Sequence, residues 1–340
     1  MRSPRIALSA FTAISLVAGI ACAGPGAAAG RKQSREVWGF TAFWDTLSRN
    51  SAARNGTSLD GLVTTWIALD TAGKSPAVLF VDSSPDPRIP ERRLALITSY
   101  VHPSFRPVAI RRLAANPRGL ARAASSIAAT MASARHRGAV LDFEALEPGD
   151  LPALASVVRT LSDTLRARGL GPVVVAVPAA DTVAYPGQAL LDAGADFLLP
   201  MLYDQHWAGG RAGPVSARGW VASTLKVRVK EVGAARLIAG LPLYGYRWPT
   251  SGKGVTVTFA EASSAAAGAL TRDSVTGSLR AALAGGGEVW VTDAALLKGL
   301  IAIAEAHGVR RFALWYIGQE DPNVWRAVLT PPPEKQPSRP

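Results

Sequence analysis

The stretch Gly138-Ala139-Val140-Leu141-Asp142-Phe143-Glu144 decides the fold. It begins as an apolar, β-prone run and ends in two carboxylates two positions apart. Side chains alternate along a strand, so Val140, Asp142 and Glu144 share one side while Leu141 and Phe143 face the other. A strand that is apolar on both sides is buried on both, as in a parallel sheet covered by helices. The same kind of run recurs in both directions: Val37–Trp44, Leu62–Leu69, Leu94–Val101, Val173–Val177, Phe197–Leu202, Leu237–Leu241 and Phe312–Tyr316. Amphipathic helical patterns separate many of them, among them Pro117–Arg135, Asp150–Arg168, Ser216–Val232 and Asp293–His307. Eight such alternations predict an α/β fold, a closed (β/α)8 TIM barrel. A doubly wound open sheet would carry a Gly-rich phosphate loop after its first strand, and Trp44-Asp45-Thr46-Leu47 is not one. Residues 249–291 break the alternation with the turn cluster Ser251-Gly252-Lys253-Gly254, a β-like run and an Ala-rich helix. They predict a small α+β insertion between strands seven and eight.

Composition narrows the possible functions. The 340 residues are 48% hydrophobic, too apolar for a disordered chain. One cysteine cannot form an internal disulfide, and four dispersed histidines supply no zinc-finger spacing. The net charge is +12, but the arginines are scattered and form no basic arm, so they predict a solvated surface and no nucleic-acid partner. Arg2 and Arg5 precede the apolar run Ile6–Ala23, so residues 1–23 are expected to be an export signal. Cys22 stands where a lipid anchor would be attached, the one membrane link expected. Residues 24–35 are expected to be a tether, 36–330 the barrel, and the Pro-rich 331–340 a disordered tail. An exported, monomeric protein is expected.

Chemistry gathers at the strand ends, where barrels of this kind carry their active groups. Asp142 and Glu144, on one side of the fourth strand, repel when both are charged, which raises the proton affinity of one. A proton donor near neutral pH needs that tuning. The sixth strand runs out through Met201, Tyr203 and Asp204, and the seventh through Tyr244. Trp44, Trp66, Trp207, Trp248 and Trp315 fall at or near strand ends, where rings can stack on flat sugar faces. His102, His136 and His307 read as structural or exposed.

These residues carry a resemblance to family 18 glycoside hydrolases, the chitinase-like family. Gly138, Asp142 and Glu144 match the Gly, the last Asp and the Glu of the family's D-G-x-D-x-D-x-E. Met201, Tyr203 and Asp204 match M-x-Y-D, Gly240 to Gly245 is similar to G-x-P-x-Y-G, and Trp315 falls where the eighth-strand Trp lies. Within the family the likeness is to bacterial members of the spore-cortex-lytic and polysaccharide-deacetylase-fused type. Arg137 and Val140 depart from the signature, standing at its two earlier acidic positions. The resemblance implies retaining hydrolysis of polysaccharide built of 2-acetamido sugars, such as chitin or peptidoglycan. It implies Glu144 as acid, Asp142 and Tyr203 as partners of the substrate acetamide, and Met201, Asp204, Trp315, Tyr244, Trp44 and Trp207 as sugar contacts. It implies no cofactor and no metal. A lectin-like barrel of the same family, binding without cleavage, is the alternative.

Overall fold

The computed structural model describes residues 35–69, 77–82 and 92–327. The expected export signal, its possible lipid anchor at Cys22, residues 24–34 of the tether and the tail lie outside them. Eight parallel strands occupy Glu36–Phe40, Gly61–Ala68, Arg93–Thr98, Gly138–Asp142, Val173–Pro178, Phe197–Met201, Ile238–Pro242 and Arg311–Trp315. The first strand pairs with both the second (Trp38 beside Gly61) and the eighth (Trp38 beside Ala313), so the sheet closes on itself. The chain is a (β/α)8 barrel.

Alternation divides each strand between two cores. Val63, Leu94, Leu96, Val140, Val174, Ala176 and Leu199 fill the barrel interior. Leu62, Ile97, Leu141, Val175 and Leu198 pack outward, against helices that include Pro117–Ser133, Leu151–Arg166 and Ala294–Ala306. At the C-terminal end the interior is topped by residues that include Leu96, Val140, Ala176 and Leu199, and a cavity opens above them.

Gly138 shows how tightly the fourth strand is seated. A Cβ there would lie 2.4 Å from the Pro172 carbonyl oxygen and 2.8 Å from its nitrogen, both backbone atoms with little room to give. Gly138→Ala is therefore expected to cost about 1–3 kcal/mol in a denaturant-unfolding measurement.

Three segments depart from the sequence expectation. The third strand stops at Thr98 rather than Val101, because Tyr100–Val101 folds back on Ser104–Phe105 as a hairpin. The first ends at Phe40, and Asp45 caps a helix, Thr46–Asn55, by accepting from the Leu47 N–H at 2.8 Å. The insertion begins at Gly245, not residue 249. Gly245–Trp248 is the second strand of a five-stranded antiparallel sheet, paired with Val255–Val257 and Glu288–Val291. A side chain at Gly245 would collide with the Trp290 carbonyl 2.3 Å away, so glycine alone permits that pairing.

Among the described residues no helix is long and apolar enough to cross a membrane.

Candidate active site

The segment that carries Glu144 is pinned from beneath. After Asp142 the chain passes through Ala145, at a left-handed φ of 59°. The Tyr185 hydroxyl donates to the Phe143 carbonyl at 2.9 Å and accepts from the Leu146 N–H at 3.1 Å. Tyr185 is itself held by Arg228, fully buried, whose guanidinium donates to the carbonyls of Pro178, Ala179, Asp181 and Tyr185. A buried guanidinium with its donors so matched is strongly anchored.

Asp142 and Glu144 project together into the barrel mouth, where both line the cavity. Asp142 is 9% exposed and accepts a hydrogen bond from the Thr98 hydroxyl at 3.0 Å. Burial pushes its carboxyl up to about 6, against the pull of hydrogen bonds from Thr98 and Glu144. Glu144 is held well above the usual carboxylate range, first by burial, then by the negative charges of Asp142 and Asp204 and by its hydrogen bond to Asp142. Carboxyls that interact in this way titrate as a unit, and both burial and their mutual repulsion favour the protonated form.

The sixth strand delivers the next group. Met201 lines the interior, and Tyr203 stacks nearly parallel to Trp315, with centroids 6.3 Å apart and planes 11° from each other. Burial, reinforced by the charges of Glu144, Asp142 and Asp204, keeps the Tyr203 phenol protonated. Asp204 sits at a left-handed φ of 56°. It accepts from the hydroxyls of Tyr244 and Tyr246, the latter at 3.0 Å. Burial raises its carboxyl while those two phenols draw it back down.

Two cavities meet at Asp204 and Trp315. The larger, about 840 Å³, has Val140, Ala176 and Leu199 as its floor and Phe43, Trp44, Trp66 and Tyr100 among its walls. The smaller, about 340 Å³, lies toward the insertion and is lined by Tyr244, Tyr246, Glu261, Tyr316 and Gln319 among others. Trp66 is fixed by donating its indole N–H to the Thr41 carbonyl at 2.8 Å, and Trp44, 57% exposed, stands edge-on to it at the rim. Among the described residues lining either cavity there is no Lys or Arg.

Of the residues singled out in the sequence, Asp142, Glu144, Met201, Tyr203, Asp204, Trp315 and Trp44 line the larger cavity, and Tyr244 the smaller. Trp207 lines neither. The loop after the sixth strand folds back, with the Gln205 N–H donating to the Val215 carbonyl, and lays the Trp207 ring over Gly209. The sequence does not single out Thr98, Tyr246 or Tyr185, and His102, which it reads as structural or exposed, lines the larger cavity. Thr98 was within reach, because the third and fourth strands pair in parallel and set it beside Asp142. His102 reaches the cavity on the hairpin that replaces the end of the third strand.

The barrel, with a carboxylate pair at its mouth, has the fold of chitinases of known structure. No family model matches the chain. The Bacillus subtilis (strain 168) protein named as the glycosylase YvbX is 34% identical over 118 residues, 33% of this chain and 34% of that protein. The chain thus spans about a third of the length of that curated relative. The spore cortex-lytic enzyme SleL of Bacillus cereus superposes with a TM-score of 0.77 at 19% identity, over 88% of this chain and 74% of that one. A chitinase from Chromobacterium violaceum gives 0.73 at 22% identity, over 87% of this chain and 98% of that one.

Proposed function

We propose that the chain is an exported family 18 glycoside hydrolase that cleaves polysaccharide containing N-acetylglucosamine, with retention at the anomeric carbon. One observation carries this: Asp142 and Glu144 line one cavity with Tyr203 and the Trp315 ring, and burial raises both carboxyls above the usual range. Glu144 gives that proton to the glycosidic oxygen as the bond to the anomeric carbon breaks. The substrate's own acetamide oxygen attacks the anomeric carbon from the other side and closes an oxazolinium ring. Asp142, ionised, offsets the positive charge that develops on the acetamide nitrogen. The Tyr203 hydroxyl donates to the acetamide oxygen, and Trp315 forms the apolar floor. Water then opens the ring, activated by the Glu144 carboxylate, which recovers its proton.

The similarity to a glycosylase, a cortex-lytic enzyme and a chitinase supports a sugar substrate without choosing among chitin, peptidoglycan strands and poly-N-acetylglucosamine. The cavity linings favour an uncharged glycan: they carry Asp142, Glu144, Asp204 and Glu261 with no described Lys or Arg, so the positive net charge lies elsewhere. Export is supported by Arg2, Arg5 and the apolar run Ile6–Ala23.

The test is incubation with N-acetylglucosamine oligomers and with the same oligomers fully de-N-acetylated, following anomers by proton NMR. Cleavage with retained configuration, confined to the acetylated series, is the expected result. Cleavage of the de-N-acetylated oligomers would overturn participation of the acetamide, and binding without product would favour the lectin-like alternative.

A further inference from the structure

Between Arg92 and Leu141 the chain carries nine arginines and no Asp, Glu or Lys. Among the described residues, Arg92 pairs with Glu36, Arg93 with Asp82 and Arg111 with Asp150. Arg118, Arg122, Arg135 and Arg137 are exposed and form no ion pair among the described residues. They lie along one flank of the barrel. Arg118 and Arg122 stand one turn apart near the start of the helix Pro117–Ser133, and Arg135 and Arg137 follow its far end. The helix is about 25 Å long at 1.5 Å per residue.

The surface between the two pairs is low. The outward positions of the helix after Arg122 are Ser125, Ser126, Ala129, Ala132 and Ser133. Across this strip reaches Arg168, which donates to the Ser125 carbonyl at 3.2 Å. The adjoining helix, Leu151–Arg166, adds exposed Arg159 and one exposed acid, Asp163. The strip therefore presents guanidinium groups at both ends and in the middle, with small side chains between them.

We propose that this flank docks a linear phosphodiester polymer without bases, a polyol-phosphate chain. Guanidinium groups suit phosphate oxygens, because the planar fork donates two parallel hydrogen bonds. A negative charge repeated along a flexible backbone can contact the arginines in succession, and its passage over Ser and Ala meets no steric barrier. The strip exposes no aromatic ring on which a base could stack, which disfavours nucleic acid. It exposes no large apolar side chain to enter a lipid surface. The flank would thus hold the protein on an anionic polymer while the carboxylate-lined mouth stays free for an uncharged one.

The probe is poly(glycerol phosphate), titrated into the full chain at several salt concentrations. The expected result is binding that weakens about 50- to 150-fold between about 50 and 200 mM salt, as four phosphate contacts require. The variant R118Q/R122Q/R135Q/R137Q should lose most of this affinity and salt dependence while its unfolding temperature stays unchanged. Affinity unchanged in the variant would overturn the proposal, as would absence of binding at about 50 mM salt. Equal or tighter binding to duplex DNA or to phosphatidylglycerol vesicles would overturn the assignment of the partner.

Discussion

Glu144→Gln is expected to lower turnover of an N-acetylglucosamine oligomer by about 10²–10⁴-fold, the range that a positioned general acid supplies. Gln keeps the size of Glu and can donate to the neighbouring Asp142 carboxylate, so the fold should be intact by circular dichroism. It has no proton to give to the leaving oxygen. The variant should bind substrate and release almost no product. Its loss should also be partial for substrates with an acidic leaving group such as nitrophenol, which needs little protonation to depart. A substitution that merely damaged the mouth would slow both kinds of substrate equally. Near wild-type turnover on the natural-type oligomer would remove Glu144 from the acid role.

The barrel was legible because its strands carry the signal twice. Each is apolar on the inner and the outer face, and Gly or Pro punctuates most joins, so all eight were found to within a few residues. Short edges carry no such signal. Ala77–Phe80 pairs antiparallel with the second strand and brings Leu79 to the larger cavity, yet its four residues show no periodicity to distinguish them from loop. The shared side of Asp142 and Glu144 followed from strand alternation alone. The groups that tune and hold them did not. Tyr185 acts through a hydroxyl bonded to backbone atoms 42 and 39 residues away, and depends on an Arg228 whose burial no local pattern announces. Trp207 is the converse case. An aromatic side chain at a strand end points into the mouth only if its loop turns it there, and the Gly209-Gly210 turn gives this ring a nearer surface.

Asp142→Asn is expected to make the protein more stable at neutral pH while making it a poor catalyst. The Asp142 carboxyl sits at about 6 in the folded chain against an ordinary 3.8. Between those values the folded state keeps a proton that the unfolded chain has released. The stability this group contributes is therefore fully present below about 4 and is lost as pH rises through about 6. Carboxylates with lowered values, such as Asp150 beside Arg111, act in the opposite sense in wild type and variant alike. The difference between the two proteins reports the Asp142–Glu144 pair, free of those other carboxylates. Asn can still accept from Thr98 and is never charged, so the variant should gain about 1–3 kcal/mol over wild type at pH 7 and almost nothing at pH 4, by urea unfolding. A constant difference across that range would mean that burial does not penalise the ionised carboxylate. Turnover should fall by at least about 10²-fold, because a neutral amide cannot offset charge on the acetamide. Loss of the Asp142 charge also removes one of the causes that hold Glu144 high. Whatever activity remains should therefore decline with rising pH at a lower pH than in wild type, a shift that simple loss of packing would not produce.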